Sequence, residues 1–327
     1  MKPALSIVAA IIGCGTLVAA DTPQPVRVYV MAGQSNMEGH GEVAARPDRN
    51  GGRGSLEWLA TDAATAPRFA GLRAAGGWAE RDDVWITFID RAGPLTVGYG
   101  ARPECIGPEL GFGAVAGDAH DAPILLVKCA WGGKSLAVDF RPPSAGRPGY
   151  PLGEKLEAAI EADPAIIGQY YRETIALVKA ALEQLATDKL VPGGKARGHV
   201  LAGFAWHQGW NDRIDDRFNA EYESNLTAFI RDVRRDLAAP RLPFVIAETG
   251  MTGPDEKHPR ALALMKAQAA VANLPEFRGT VGFVPTRELW RPVEASPANQ
   301  GYHWNRNAET YWLIGTGLGS GMLELER

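Results

Sequence analysis

VRVYVMAGQSNMEGHG, residues 26–41, is the stretch that decides how this chain of 327 residues folds. Its first part, Val26–Ala32, is short, rich in β-branched residues and apolar at almost every position, which predicts a β-strand covered on both faces. Its second part, Gly33–Gly41, is a turn crowded with polar residues, namely Gln34, Ser35, Asn36, Glu38 and His40. A plain reversal of the chain needs only a pair such as Asn-Gly, so this turn points to a site centred on Ser35.

Four more apolar runs of the same kind follow along the chain: Pro123–Ala130, His199–Trp206, Pro243–Thr249 and Thr280–Pro285. Helix-length segments with apolar residues at helical spacing lie between them, for example around Tyr171 and around Leu226. This alternation predicts an α/β protein in which a five-stranded parallel sheet forms the middle of a three-layer α/β/α sandwich. The run WITFI (Trp85–Ile89) is a possible extra strand.

Two segments interrupt this alternation, and we call them the first insertion (residues 42–104) and the second insertion (residues 137–165). The first is rich in Gly, Arg, Asp and Ala, and the second is rich in proline. Both follow the carboxyl end of a predicted strand, where the functional loops of α/β folds lie. We interpret them as walls of a cleft, with surface decoration as the alternative. Residues 21–327 are thus predicted to form a single elaborated domain.

The first twenty residues have the organisation of a secretory signal peptide. Lys2 precedes an apolar stretch and a small-residue cleavage pattern before Asp21, as expected for export. The alternative is a lipoprotein signal, because Ile11–Cys14 resembles a lipobox with Cys14 as the lipidated residue. Either signal predicts a secreted or periplasmic protein. No other segment of the sequence resembles a transmembrane helix.

Charge and cysteine content restrict the partners. The net charge is −4 and the isoelectric point is about 5.9, without the basic stripe that a nucleic-acid partner requires. After removal of the signal peptide, Cys105 and Cys129 remain, either as one disulfide or as two buried thiols. His40 and Glu42 have no third ligand at a suitable spacing, so no metal site is predicted.

The residues that follow the first three predicted strands lie at one edge of a parallel sheet, and they can therefore converge. They include Ser35, the pair Gly132-Gly133, and Asn211. Acyl transfer requires a hydroxyl that attacks a carbonyl and N–H donors that stabilise the resulting oxyanion. The predicted donors are the Ser35 N–H, an N–H of Gly132 or Gly133, and the Asn211 side-chain amide.

A serine nucleophile also needs a base. Of the six histidines, His40, His207 and His303 lie close to these motifs. His303 stands just before an apolar C-terminal helix, on a loop that can reach back over the same edge of the sheet. We therefore predict His303 as the general base, with Tyr302 and Trp304 as a wall that faces a sugar. His207 is interpreted as a packed residue behind the site.

These motifs resemble those of the SGNH hydrolases, and more narrowly those of the sialate O-acetylesterase domain and of carbohydrate esterase family six. The matching blocks are GQSNM, GPELGFG (Gly107–Gly113), the strand that ends in GG, WHQG, and the late histidine. The resemblance covers nearly the whole mature chain in the expected order. It implies a flavodoxin-like fold and the deacetylation of sugars or glycans without a metal.

Residue by residue, the same resemblance implies Ser35 as the nucleophile and His303 as the base. Its glycine block implies Gly132 or Gly133 as an oxyanion donor, of which we take Gly133. Gly107 is the competing glycine. Its Asn block, read as G-x-N-D, implies Asn211.

Two positions depart from the family pattern and leave the third member of the triad open. The family often has an acid three residues before the histidine, where this chain has Gln300, and relatives have Glu directly after HQG, where it has Trp210. We take Asp212 as the first candidate for the acid. Glu294 and Glu288 are further candidates, and a dyad oriented by a backbone carbonyl is the other arrangement.

The sequence therefore predicts a secreted serine esterase that removes O-acetyl groups from a carbohydrate of the sialate or xylan type, through an acetyl-enzyme on Ser35. Gln34, Gly132 and Gln208 are predicted to contact the substrate. The acetylated carbohydrate is the predicted partner, and no cofactor is predicted. The alternatives are a general short-chain acyl esterase of the same superfamily and a carbohydrate-binding protein that kept the fold without turnover.

Overall fold

The computed structural model describes residues 23–327 as an α/β fold of three layers, in which helices cover both faces of a mostly parallel sheet. The predicted fold class is thereby confirmed. The predicted signal peptide, residues 1–20 with Cys14, lies outside the described residues. None of the helices between residues 23 and 327 is long and apolar enough to cross a membrane.

Seven of the strands in the described chain form the central sheet, in the order β11-β10-β9-β1-β8-β5-β6, and the other four form two short antiparallel ribbons, β2 with β7 and β3 with β4. The strands are β1 (Val26–Gly33), β2 (Gly41–Glu42), β3 (Arg73–Ala74), β4 (Gly77–Trp78), β5 (Val84–Phe88), β6 (Arg91–Pro94), β7 (Cys105–Ile106), β8 (Ile124–Ala130), β9 (His199–His207), β10 (Phe244–Ala247) and β11 (Val281–Val284).

The α-helices of the described chain vary from single turns to five turns. They are α1 (Ser35–Glu38), α2 (Leu56–Leu59), α3 (Ala66–Phe69), α4 (Pro108–Ala119), α5 (Glu154–Ala162), α6 (Gln169–Leu185), α7 (Gly194–Arg197), α8 (Asp216–Ala220), α9 (Tyr222–Asp236), α10 (Pro259–Ala272) and α11 (Ala308–Leu325). Short 3₁₀ turns join several of them, and the turn Gly301–Arg306 is the one that bears on the site.

Strand β1 occupies the middle of the sheet because it is apolar on both of its faces. Val28 and Val30 belong to the core that α6 and α9 cover, whereas Tyr29 and Met31 belong to the core that α4 and α11 cover. A shift of one residue in the pairing of a strand would exchange these two sets of side chains. The register of β1 against its two neighbours is therefore firmly determined.

The central sheet has seven strands rather than the predicted five, because the first insertion adds two. Strand β5 overlaps the run that was predicted as a possible extra strand, and it pairs in parallel with β8. Strand β6 then turns back and pairs antiparallel with β5 at the edge of the sheet. Its sequence, RAGP, contains glycine and proline and has no apolar pattern, so only its position beside β5 makes it a strand.

Helices α4 and α11 pack against each other through glycines. A Cβ atom at Gly315 would lie 2.1 Å from the carbonyl oxygen of Pro108, and one at Gly111 would lie 2.3 Å from that of Trp312. Only glycine allows the two backbones to approach so closely. Helix α11 follows the loop of His303, and α4 begins directly after Gly107. The contact between the two helices therefore fixes these two parts of the predicted site relative to each other.

Cys105 and Cys129 are both buried, and both are free thiols. Of the two arrangements that the sequence left open, the structure therefore shows the pair of thiols. Burial raises the pKa of the Cys129 thiol well above its ordinary value, so this cysteine is an inert core residue.

Replacing Gly315 by Ala is expected to lower the free energy of unfolding by about 1–3 kcal/mol, because the new methyl group must push α4 away. The sign is informative, since Gly to Ala in an exposed helix normally stabilises by up to about 1 kcal/mol. Urea unfolding measures the difference. Gly149→Ala is the control, because a Cβ at Gly149 meets no atom within 4 Å. Equal stability of the two variants would contradict the close contact.

Candidate active site

Ser35 is the first residue of α1, two residues beyond the end of β1. Gly33 makes this sharp change of direction possible, because its φ is 154° and a Cβ there would lie 2.2 Å from the carbonyl oxygen of His207. Ser35 is largely buried, with 8% of its surface exposed. As the first residue of a helical turn, it has an N–H without an acceptor inside the helix.

The register of β1 brings three turns to one level. Gly33 is aligned with Ala130 of β8 on one side and with His207 of β9 on the other. The turns that follow these strands therefore meet. A Cβ at Gly132 would lie 3.8 Å from the Cβ of Ser35, and one at Gly133 would lie 3.9 Å from Nδ2 of Asn211.

Gln34 fastens the Asn211 turn to the serine turn. Its Oε1 accepts hydrogen bonds from the N–H groups of Gly209 at 3.0 Å and Asn211 at 3.3 Å. The Asn211 side chain in turn donates from Nδ2 to the carbonyl oxygen of Gly133. A side-chain amide has two N–H groups, so the second one of Asn211 is left for a ligand. Gln34 itself is buried and supports this arrangement from beneath.

Glu38 was not predicted as a site residue, but the structure places it in the site. A Cβ at Gly132 would lie 3.1 Å from Oε2 of Glu38. Burial raises the pKa of this carboxyl, and the Lys128 ammonium and the Gly132 N–H oppose that rise. The Glu38 carboxyl therefore lies against the backbone of Gly132. The sequence could have indicated Glu38, because it is a charged residue three positions after Ser35, in a turn that follows a buried strand.

A buried ion pair lies beneath this turn. Nζ of Lys128 donates to Oε2 of Glu109 at 2.6 Å and to the carbonyl oxygens of Glu38 and Tyr99 at 2.7 Å each, and neither charged side chain is exposed. The other oxygen of Glu109 accepts the N–H of Gly107 at 2.7 Å. The N–H of Gly107, the competing oxyanion glycine, thus has a protein acceptor already.

His303 lies in a 3₁₀ turn that is tied to the residue after the serine. Nδ2 of Asn36 donates to the carbonyl oxygen of Tyr302 at 3.0 Å. The Tyr311 hydroxyl donates to Oδ1 of Asn36 at 2.8 Å and approaches the carbonyl oxygen of His303 at 3.3 Å. The loop of the predicted base is therefore held against the loop of the predicted nucleophile.

The imidazole of His303 is stacked on that of His40, with ring centroids 3.8 Å apart and an angle of 7° between the planes. Burial, together with the nearby positive charge of Arg306, lowers the pKa of His303 to about 4. Burial, followed by the neighbouring His303, lowers the pKa of His40 to about 3. Both rings are therefore neutral at neutral pH, which is the state that a general base requires.

The backbone after His303 adopts a conformation that few side chains accept. Trp304, Asn305 and Arg306 have φ values of 51°, 53° and 59°. Such left-handed residues cost on the order of 1–3 kcal/mol each. The turn persists because Oδ1 of Asn305 accepts the N–H of Gln300 at 2.9 Å and Nδ2 of Asn305 donates to a carbonyl oxygen at 3.1 Å.

The first insertion supports this loop from outside. Nδ2 of Asn50 donates to the carbonyl oxygens of Val293 and Ser296, both at 2.7 Å. The carbonyl oxygen of Gly54 accepts the N–H of Ala308, the first residue of α11, at 2.8 Å. The loop that carries His303 is thus fastened to the first insertion at two points.

Asp212, the first candidate for the triad acid, is fully buried, and its hydrogen bonds go elsewhere. Its carboxylate accepts the N–H groups of Leu136 and Ala137 at 2.8 Å each and the side-chain amide of Gln208 at 2.5 Å. Burial raises its pKa to about 7. None of these partners is a histidine, and the contacts hold the segment that follows the Gly-Gly turn.

Other predicted site residues have no contact with His303. Glu288 and Glu294 are exposed, whereas Gln208 is buried and donates from Nε2 to the carbonyl oxygen of Lys134 at 3.0 Å. The hydrogen-bonding contact of the His303 ring is with Gln300, whose Oε1 lies 3.3 Å from Nδ1. Within residues 23–327, no three His, Cys, Asp or Glu side chains form a group that could bind a metal ion.

Aromatic side chains border the site. Tyr302 is 44% exposed, and its ring centroid lies 6.3 Å from that of the half-buried Trp210. The guanidinium of Arg213 covers the Trp210 ring at 3.6 Å. Trp304 is fully buried and therefore packs in the core instead of forming the predicted sugar-facing wall. Tyr302 is therefore exposed beside the half-buried Trp210.

Residues 25–289 match the family model described as carbohydrate esterase, sialic acid-specific acetylesterase. A solved structure of a protein from Arabidopsis thaliana is similar with a TM-score of 0.59 at 18% identity, over 91% of this chain and 98% of that one. A carbohydrate acetylesterase from Xanthomonas citri is similar with a TM-score of 0.50 at 15% identity, over 90% of this chain and 57% of that one. No curated protein shows significant sequence similarity to the chain.

Replacing Asp212 by Ala is expected to lower the free energy of unfolding by about 1–3 kcal/mol, because two buried N–H groups lose their acceptor. Urea unfolding measures the loss, with Asp255→Ala, at an exposed position, as the control. A variant of unchanged stability whose kcat falls by several orders of magnitude would instead assign Asp212 the role of triad acid.

Proposed function

Because the chain belongs to the carbohydrate esterase family of sialic acid-specific acetylesterases and is a carboxylic ester hydrolase, we propose that it removes O-acetyl groups from a carbohydrate through an acetyl-enzyme on Ser35. The observation that carries the proposal is the meeting of Ser35, Gly133 and Asn211 at one edge of the sheet. The tie between Asn36 and the loop of His303 supports it further.

In the proposed reaction the serine hydroxyl attacks the acetyl carbonyl. A bond forms between Oγ of Ser35 and the carbonyl carbon, Nε2 of His303 takes the hydroxyl proton, and the carbonyl oxygen becomes an oxyanion. Collapse of this intermediate breaks the bond to the sugar oxygen, which receives the proton from His303. A water molecule then attacks the acetyl-enzyme with the same base, and acetate and free Ser35 are the products.

Three N–H groups are proposed to hold the oxyanion: those of Ser35 and Gly133, and the second amide N–H of Asn211. Gly133 is favoured over Gly132, because Gly133 lies beside the Asn211 amide whereas the Glu38 carboxyl lies against Gly132. The bond from Asn211 to the Gly133 carbonyl fixes the orientation of the amide before the substrate arrives. Such preorganised donors are typically worth about 2.7–4 kcal/mol each in the transition state.

Two surfaces near His303 support a carbohydrate as the substrate. Tyr302 and Trp210 offer aromatic rings, which combine an apolar body with a polar tip, and the Arg213 guanidinium occupies one face of the Trp210 ring. On the other side of the turn lies a groove of about 480 Å³ whose polar lining suits hydroxyl groups. Its polar residues are Asp48, Arg49, Asn50, Asn299, Gln300 and Arg306.

We also propose that the protein is exported, since residues 1–20 have the pattern of a signal peptide. Lipid attachment at Cys14 is the variant of this proposal in which the enzyme stays at the membrane surface. Treatment of intact cells with a protease that cannot enter them, followed by detection of the chain, tests the location.

Replacing Ser35 by Ala is expected to reduce acetate release by at least about a thousandfold, because the nucleophile is lost while the fold remains. The substrates are p-nitrophenyl acetate, acetylated xylan and O-acetylated sialic acid, and circular dichroism checks the fold. Ser224→Ala, at an exposed helix position, is the control. Activity that survives in a folded Ser35→Ala protein would overturn the proposal, and equal turnover of p-nitrophenyl octanoate would favour a general acyl esterase.

Replacing Trp210 by Ala is expected to raise KM for an acetylated carbohydrate by about threefold to tenfold, because the sugar ring loses an aromatic face. KM for p-nitrophenyl acetate should not change, since this substrate has no sugar. Trp210→Phe keeps an aromatic face and should lie close to the unaltered protein. Equal effects on both substrates would show that Trp210 supports the site instead of contacting a sugar.

A further inference from the structure

We propose that Gln300 takes the place of the triad acid: its neutral side-chain carbonyl accepts the Nδ1 proton of His303 and so orients the base. This inference rests on the proposed function, in which His303 is that base. Gln300 stands three residues before His303, the position at which the resemblance noted above leads one to expect an acid. It is a positioning residue, since it acts on the reaction through the imidazole.

Hydrogen bonds hold the Gln300 backbone in place. Its N–H donates to Oδ1 of Asn305 at 2.9 Å, and its carbonyl oxygen accepts the N–H groups of His303 at 2.8 Å and Asn305 at 3.0 Å. The turn Gly301–Arg306 thus closes back on Gln300. As a result, the backbone of Gln300 and that of His303 cannot move independently.

The side chain is also held at both of its ends. Nε2 of Gln300 donates to the Tyr302 hydroxyl at 2.7 Å, which leaves Oε1 facing Nδ1 of His303 at 3.3 Å. A carbonyl oxygen only accepts hydrogen bonds, so this contact is a hydrogen bond in the tautomer that carries its proton on Nδ1, and that is the tautomer we propose. The lone pair of His303 is then on Nε2, where a base needs it. One amide therefore sets both the tautomer and the direction of the ring.

A neutral amide lacks the negative charge of a carboxylate. The other groups around the His303 ring do not supply that charge. The ring is stacked on neutral His40. The charged group that changes the pKa of His303 is Arg306, and it lowers that pKa. Arg306 lies 3.2 Å from the carboxylate of Glu42, which also pairs with Arg46 at 3.6 Å. Of the His303 atoms, the Tyr311 hydroxyl approaches the backbone oxygen and not the imidazole. Among residues 23–327, no carboxylate pairs with the His303 ring, so none of these anions is in contact with the imidazolium that forms during catalysis.

This arrangement has a consequence for the pH dependence. Burial and Arg306 hold the pKa of His303 at about 4, so the base is neutral above that pH and becomes protonated below it. Activity should therefore rise as the pH passes about 4 and stay level up to neutral pH. A carboxylate at position 300 would favour the imidazolium and raise this pKa by about 1–3 units.

The test compares kcat/KM for p-nitrophenyl acetate between pH 3 and pH 8 in the intact enzyme and in two variants. Gln300→Ala should lose at least about tenfold in kcat with little change in KM, because the tautomer and the ring direction are no longer set. Gln300→Glu should keep the orientation but move the acid limb of the profile upward by at least one pH unit. Gln184→Glu, the same substitution at an exposed position on α6, should leave the profile unchanged.

Two results would overturn the inference: an unchanged kcat in Gln300→Ala, or a Gln300→Glu profile that superimposes on that of the intact enzyme. Should Gln300→Ala fail to fold, the isosteric Gln300→Glu variant decides alone. His303→Ala separates this inference from the proposed function. If His303→Ala is inactive and the Gln300 variants behave like the intact enzyme, only the inference fails. If His303→Ala stays active, the proposed function fails as well.

Discussion

The site depends on the close passage of two backbones at Gly33 and His207. Any side chain at position 33 would collide with the His207 carbonyl, so glycine alone lets β1 and β9 run side by side to their ends. The N–H of Gln34 then bonds to that carbonyl at 3.3 Å, and the carbonyl of Gly33 accepts the N–H of Trp131 at 3.2 Å. Backbone bonds thus join the ends of β1, β8 and β9. The side-chain bonds of Gln34 and Asn211 then fasten the turns that follow these strands.

The nucleophile and the base are positioned by different physics. Ser35 and its oxyanion donors follow from strand pairing, which repeats along the sheet and tolerates little variation. His303 instead sits before three left-handed residues whose strain must be offset by contacts nearby. The burial of Trp304 and the two side-chain bonds of Asn305 supply that compensation. The base is therefore held by contacts of its own loop, although no α-helix or strand carries it.

Much of the fold and part of the site could be predicted from local sequence patterns. Five of the six parallel strands were visible as continuous apolar runs, because burial on both faces leaves that signature in the residues themselves. The turns after them could be placed at one edge because parallel strands share a direction. Strand β6 could not be predicted, since it exists only through pairing with β5. Cys105 and Cys129 were left undecided, because their spacing says nothing about their distance in the fold.

Within the site, the hydrogen-bond partners of the polar side chains could not be predicted from the sequence. Gln34 was expected at the substrate, yet its carbonyl bonds to the backbone of the Asn211 turn. Asp212 was the first candidate for the acid, and its oxygens are occupied by backbone N–H groups and Gln208. These are contacts between residues distant along the chain, and no local pattern encodes them. The role of Asp212 in catalysis stays a prediction.

The ties between the first insertion and the loop of His303 restrict how this enzyme can diversify. In many α/β enzymes, loops that select the substrate vary freely while the catalytic residues stay on the rigid scaffold. Here Asn50 and Gly54 belong to the first insertion and also hold the loop of the base. A segment exchanged between relatives would have to bring the C-terminal loop with it. The first insertion and the loop of His303 lie more than 230 residues apart in sequence. In protein engineering they must nevertheless be exchanged together.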